Sequence, residues 1–268
     1  MSNDKLMEDA VVAVTGAGSG IGQATAVRAA AAGASGLLLV DRDRDGLCRT
    51  KSLAQAAVRA VGAAKRSAAR ADHLVDLLIT DVTSRGAGAA LVKQAVASFG
   101  RLDAAVNAAG TMGRPAALTD QTVEEFAGVF DVNVFGLYDC LRAELTQMCT
   151  QGSGSIVNIA SASVDGVHGE LGAYVASKAA VVALSRVAAK EAGRFGVRVN
   201  AVSPGLTDTP MLAESRQLRP ATEDIAAAIP LGRVGRPYEL ANAIVWLCSA
   251  EASFTNGAVL VVDGGRTG

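Results

Sequence analysis

Short runs of consecutive apolar residues alternate along the whole chain with longer stretches of helical composition. The run AVVAVTG (10–16) is rich in β-branched residues and stops at a glycine, and the alanine-rich IGQATAVRAAAAG (21–33) follows and closes on another. That order predicts strand, tight turn, helix. Six further runs predict strands: GLLLVD (36–41), VDLLITD (75–81), LDAAVNAAG (102–110), GSIVNIAS (154–161), VRVNAVSPG (197–205) and GAVLVVDGG (257–265). Continuously apolar strands separated by helices mean a parallel sheet covered on both faces. An α/β fold follows, a doubly wound parallel sheet of about seven strands in one domain over 1–268, with neither internal repeat nor linker to divide it.

Two segments are less regular. Residues 42–74 are long for one crossover, and their alanines and basic residues predict a helix extended beyond the sheet. Residues 206–230 follow a strand end and mix prolines with short apolar patches, the composition of a mobile substrate lid.

With 268 residues, 50% of them apolar and 19% charged, the chain can bury a large core. A net charge of −1 lacks the basic excess that nucleic acid requires, and KRSAAR (65–70) reads as a solvated helix face. The opening MSNDKLMEDA has no secretory-signal pattern, and Arg28, Arg186, Lys190 or glycines cut every apolar stretch short of a membrane span. A soluble, cytoplasmic protein is expected. Cys48, Cys140, Cys149 and Cys248 are scattered and read as buried small hydrophobes, so neither disulfides nor a metal is expected.

TGAGSGIG (15–22) places Gly16, Gly18, Gly20 and Gly22 between the first strand and the first helix. Lacking Cβ atoms, they allow a tight turn whose N–H groups can approach a pyrophosphate at the positive helix end. Ordinary strand-to-helix packing or an S-adenosylmethionine site uses similar turns. Asp41 changes the balance: nineteen residues after Gly22, it ends the second strand, where a carboxylate can accept both ribose hydroxyls of an adenosine. A 2′-phosphate beside it would cost about 4 kcal/mol per charge pair at an effective dielectric near 20. NAD is therefore expected over NADP, although a guanidinium from Arg42 or Arg44 can offset the repulsion. Asp81 suits either an adenine amino group or a cap in DVTS.

In GELGAYVASK (169–178), Tyr174 precedes Lys178 by one helical turn. A phenol with its ordinary pKa of ~10 is a poor base at neutral pH. A lysine charge at ~4 Å contributes roughly 4 kcal/mol at dielectric 20, about 3 pKa units, so Tyr174 is expected to titrate near neutrality and to exchange a proton with an alcohol or carbonyl. Ser161, thirteen residues upstream at a strand end, can hold that oxygen, with Ser163 a weaker substitute.

Together, the glycine turn, NAAG (107–110), DVNVFG (131–136), Ser161, YVASK (174–178) and SPG (203–205) make the chain resemble the short-chain dehydrogenase/reductase family over essentially its whole length. The resemblance implies a Rossmann-type fold and hydride transfer between a nicotinamide cofactor and a secondary alcohol or ketone. It implies that Lys178 also binds the nicotinamide ribose and that Asn133 anchors a water in a proton relay, beside the plainer reading of Asn133 as a satisfied polar kink. Around the cofactor it implies Gly16, Ser19, Gly20, Ile21 and Gly22 at the turn, and Asp41 and Arg42 at the ribose. Asp81 and Val82 are assigned beside the adenine, with Asn107, Ala108 and Gly110 along the central strand end. Pro204, Gly205, Thr207 and Thr209 would lie near the carboxamide, with helix capping an equal reading for Thr209. Ala108 departs from the usual NNAG and removes one side-chain hydrogen bond; 42–74 departs by its length. A homodimer or homotetramer is implied, with the last strand at subunit contacts.

His168 reads as a solvent-facing loop residue near the cleft, and His73 carries less. Met112, Leu171, Met211 and Leu212 are candidates for lining a fairly apolar substrate pocket, or for filling core gaps. Besides the dehydrogenase or ketoreductase, an NAD-retaining epimerase or dehydratase and a non-catalytic nucleotide sensor remain open.

Overall fold

The computed structural model describes residues 5–61, 74–167, 169–218 and 226–268. His168 and His73 lie outside the described residues, as do parts of both irregular segments.

Each predicted run carries a strand: β1 (Val11–Thr15), β2 (Gly36–Asp41), β3 (Val75–Ile79), β4 (Ala104–Asn107), β5 (Gly154–Ile159), β6 (Val197–Pro204) and β7 (Val259–Val262). They form one parallel sheet in the order β3-β2-β1-β4-β5-β6-β7. Period-two alternation divides the apolar runs between two cores. Val12, Val14, Leu37 and Leu39 face one layer, while Ala13, Leu38 and Val40 face the other. This is why the strands read as unbroken hydrophobic runs.

The first layer is built from α1 (Gly20–Ala31), α2 (Arg44–Val61) and α8 (Pro237–Cys248). The second holds α3 (Ala87–Phe99), α4 (Val123–Phe130), α5 (Leu137–Gln151) and α6 (Gly172–Ala192). Between α4 and α5 the residues Asp131–Gly136 form a π-helix, the kind of local unwinding that tends to occur at functional sites.

The helix expected in 42–74 is α2, and residues 62–73 are outside the described part. In the expected lid, α7 (Pro210–Leu218) occupies nine residues. Pro210 opens it, since the fixed φ of proline suits a first helical turn and its missing N–H costs nothing there. Cys48 is exposed on α2, contrary to the expectation that all four cysteines are buried; Cys140 and Cys248 are buried, and all four are free thiols. Among the described residues no helix is long and apolar enough to cross a membrane.

Candidate active site

The order reverses between β1 and β4, and at that switch point the strand ends open into a cleft of about 790 Å³. Its floor at one end is the glycine turn. Gly16 has φ +67°, and a Cβ there would lie 2.7 Å from the Ala109 backbone nitrogen, so only glycine lets the β1 and β4 turns meet. Thr15 locks the same junction: Ala108 N–H (3.2 Å) and Ala109 N–H (3.3 Å) both donate to its Oγ1. That bond supports the backbone at Ala108, where the usual second asparagine is missing.

Asp41 reaches the cleft from the end of β2. Gly18 N–H donates to its Oδ2 and Asp43 N–H to its Oδ1, both at 2.9 Å. A carboxylate keeps further lone pairs for hydroxyl donors. Arg42 borders the cleft beside it and pairs with Asp81 at 3.4 Å. Asp81 also accepts from the Thr83 N–H (2.9 Å) and hydroxyl (2.8 Å) within a turn; the expected helix cap is not made, because α3 starts only at Ala87 with Gly86 at its N-cap. The Thr83 N–H, the Thr83 hydroxyl and Arg42 hold its carboxyl below the ordinary range against the opposing effect of burial.

At the other end, α6 presents Tyr174 and Lys178 one turn apart, and Ser161 stands at the end of β5. Ser161 Oγ accepts from Ser163 N–H at 3.2 Å, which makes Ser163 a support for Ser161. Burial raises the Tyr174 pKa above its ordinary 10, and the neighbouring Ser161 side chain partly offsets this. This corrects the expected near-neutral phenol. The Lys178 ammonium, 4% exposed, donates to the Ile159 carbonyl at 2.7 Å and lies 5.9 Å from the Tyr174 ring centroid. Burial pulls its own pKa down to about 8. The amine is bonded to the Ile159 carbonyl and sits 5.9 Å from the ring centroid, farther than the assumed ~4 Å, and desolvation of the phenol itself prevails.

Sixteen of the expected cofactor residues border this cleft: the turn residues Gly16, Ser19, Gly20, Ile21 and Gly22; then Asp41, Arg42, Asp81 and Val82; then Ala108, Gly110, Tyr174 and Lys178; and Pro204, Gly205 and Thr207. Thr209 borders it too, and its Oγ1 also accepts from Leu212 N–H at 3.3 Å, so capping and cleft positions coincide. Met112, Leu171, Met211 and Leu212 are in the cleft wall.

Two expected residues lie behind the wall. Asn107 shares its strand face with Ala105, and the two-residue period turns it into the core under α5. Asn133 is fully buried in the π-helix, where its Oδ1 accepts from Thr111 N–H (2.8 Å) and its Nδ2 donates to the Thr111 carbonyl (2.8 Å) and Ser177 Oγ (2.9 Å). Its amide therefore fixes the β4 turn to α6, which is the satisfied-kink reading. A Cβ on Gly110 would come within 3.2 Å of Asn133 Oδ1 and 3.4 Å of Lys178 Nζ, so this turn, amide and amine pack as a unit.

Thr15, Thr111 and Ser177 escaped sequence reasoning. Thr15 alone carried a signal, as the hydroxyl directly before the glycine turn; the others acquire partners only through folding. Arg266 also borders the cleft from the chain end, where no pattern marks it.

The glycine cradle, the acid at the β2 end and a cleft of this volume fit a dinucleotide, so fold and site define a nucleotide-binding α/β oxidoreductase. A family model described as Enoyl-(Acyl carrier protein) reductase matches residues 16–267. A 2,5-dichloro-2,5-cyclohexadiene-1,4-diol dehydrogenase of Sphingobium indicum is 44% identical over 183 residues, 66% of this chain and 72% of that protein. The crystal structure of levodione reductase superposes with TM-score 0.88 at 36% identity, covering 97% of this chain and 98% of that one. An NAD+-bound xylitol dehydrogenase gives TM-score 0.86 at 30% identity over 97% and 99%. The chain belongs to the short-chain dehydrogenase/reductase family. It is an oxidoreductase that transfers hydride between a nicotinamide cofactor and an alcohol or ketone.

Proposed function

We propose that this chain is an NAD-linked dehydrogenase or ketone reductase for a secondary alcohol or ketone on a fairly apolar small molecule. The observation that carries this reading is that Ser161, Tyr174 and Lys178 border one cleft whose wall includes Met112, Leu171, Met211 and Leu212. The bound nicotinamide supplies the hydride acceptor or donor. Tyr174 moves the proton at the substrate oxygen, Ser161 holds that oxygen, and Lys178 holds the cofactor ribose. Asn133 keeps Thr111 and α6 in register. The relative acting on a cyclohexadiene diol supports an alicyclic substrate. An epimerase, a dehydratase or a sensor has less support, because all named relatives and neighbours above are dehydrogenases or reductases.

A raised Tyr174 pKa suits proton donation, so ketone reduction runs at neutral pH while alcohol oxidation climbs as pH rises above neutrality. NADH absorbance, followed with a panel of cyclic alcohols and ketones and both cofactors, tests the whole reading. Silence across the panel despite NAD binding would sink it.

The cofactor preference rests on Asp41, with Arg42 engaged by Asp81 instead of standing ready for a 2′-phosphate. Asp41→Ala is expected to reduce the NAD over NADP ratio of kcat/KM about tenfold or more, the effect of removing one like-charge contact. An unchanged ratio would reassign the ribose site. Exposed Phe135 and Tyr138 beside α5, and Phe254 and Val261 near β7, support a homodimer or homotetramer, which light scattering can read.

A further inference from the structure

Beneath the cleft, outside the groups assigned above, lies a buried polar cluster. Asn107 of β4 donates through Nδ2 to Glu144 Oε2 on α5 (2.9 Å) and to Asn158 Oδ1 on β5 (3.0 Å). Asn158 Nδ2 donates in turn to Ser185 Oγ on α6 (2.9 Å), and Ser185 to the Val181 carbonyl (2.7 Å). None of Asn107, Glu144, Asn158 and Ser185 is more than 2% exposed. Two oxygens of this cluster have no donor, Glu144 Oε1 and Asn107 Oδ1. They are the second halves of the same two groups already joined by one hydrogen bond. A proton on Oε1 makes it the donor that Oδ1 lacks and completes a reciprocal acid–amide pair; an ionised Glu144 would leave both oxygens unsatisfied.

We propose that Glu144 is a positioning residue of the hydride-transfer site: as a neutral carboxylic acid paired with Asn107, it fixes the ends of β4 and β5 that carry the cofactor turn and the Lys178 anchor. This rests on the site roles proposed above. Asn107 directly precedes the Ala108–Gly110 turn at the cleft, and Asn158 directly precedes Ile159, whose carbonyl holds the Lys178 amine.

No cation stands ready to pair with a Glu144 carboxylate among the described residues. On α5, Cys140 has its thiol held high by burial, and Asp139 and Arg142 pair with each other at 3.0 Å. β4 (AAVN) and β5 (GSIVNI) carry no charged residue. On β6, Arg198 donates to the carbonyls that end α8; on α6, Lys178 is engaged by Ile159 while Arg186 and Lys190 are exposed; on α3, Lys93 is exposed. Burial, opposed only by the Asn107 hydrogen bond, pushes the Glu144 carboxyl up to about 7.

An acid whose folded pKa is raised confers its full stability below the unfolded value, near 4.5, and loses it as pH climbs through about 7. Glu144→Gln keeps both the donor and the acceptor of the pair and cannot ionise. Thermal unfolding of the purified full chain should therefore show wild-type Tm falling relative to Glu144→Gln by about 5–10 °C between pH 5 and pH 8. Parallel curves would overturn the neutral acid. For positioning, the readout is NADH affinity by fluorescence titration. Glu144→Gln should match wild type within about twofold, while Glu144→Leu, which strands Asn107, should bind about tenfold more weakly, equivalent to ~1.4 kcal/mol. Unchanged NADH affinity in a folded Glu144→Leu would overturn the positioning role. Should Glu144→Leu not fold, the comparison of wild type with Glu144→Gln still decides the protonation. Neither readout requires turnover, so a failed substrate assignment is told apart from a failure here.

Discussion

Tyr174→Phe should lower kcat for both alcohol oxidation and ketone reduction by about two to four orders of magnitude, the usual range for losing a positioned acid–base group. The substitution removes one oxygen and leaves the ring, so cofactor affinity measured by NADH fluorescence should stay within about twofold. The phenol stands beside Ser161, and among the described residues no other acid borders that end of the cleft: Asp41 and Asp81, the two described carboxylates in the lining, flank Arg42 at the opposite, ribose end. A variant that kept more than a tenth of wild-type turnover would transfer the proton role to another group and remove the basis of the proposed mechanism. The pH profile gives a second reading. With its pKa raised by burial, Tyr174 is a proton donor at pH 7. The alkaline rise in alcohol oxidation should disappear in Tyr174→Phe.

Lys178→Met should separate activity from stability. Its amine is held on the Ile159 carbonyl at the base of the Gly110 turn. Removing it takes away the proposed ribose contact and the cation that lies 5.9 Å from the phenol ring. Turnover should fall by about two orders of magnitude or more, and NADH affinity with it. Stability should move the other way. A lysine whose folded pKa is depressed from 10.5 to about 8 carries a burial penalty of about 3 kcal/mol at pH 7, present in full below pH 8 and gone by the unfolded value. Methionine escapes that penalty, against about 1–2 kcal/mol for the Ile159 carbonyl left unpaired. A net gain of about 1 kcal/mol, or ~2–4 °C in Tm, is expected at pH 7 and should reverse to a net loss by about pH 10, where the penalty is nearly gone and the unpaired carbonyl remains. A lower Tm at pH 7 would mean that the ammonium is better solvated than its 4% exposure implies. The tension is the familiar one in which a functional charge is kept at the expense of stability.

The fold was legible because its cause is repeated and local. Each strand announced itself as an apolar run ended by a turn, and the two cores explain why the runs do not alternate with polar residues. The glycine turn was legible for the same reason, since the positive φ of Gly16 is a demand that only one residue type meets without strain. The lid segment was less so. Prolines suggested irregular chain, yet Pro210 begins a helix, because the same residue breaks a helix from within and opens one at its first turn.

Sequence spacing by itself determined that Tyr174 and Lys178 share a helix face, that Ser161 ends a strand, and that an acid follows the glycine turn at the ribose distance; all are consequences of fixed rises and periods along one element. Only the tertiary structure decided which charges act on which groups. Asn107 meets Glu144 across 37 residues and Asn158 across 51, and Asn133 meets Ser177 across 44. No periodicity reports such pairings. The protonation states of Tyr174, Lys178 and Glu144 were likewise out of reach, because a pKa follows the water removed and the partners supplied by the folded surroundings, and a helical repeat specifies neither.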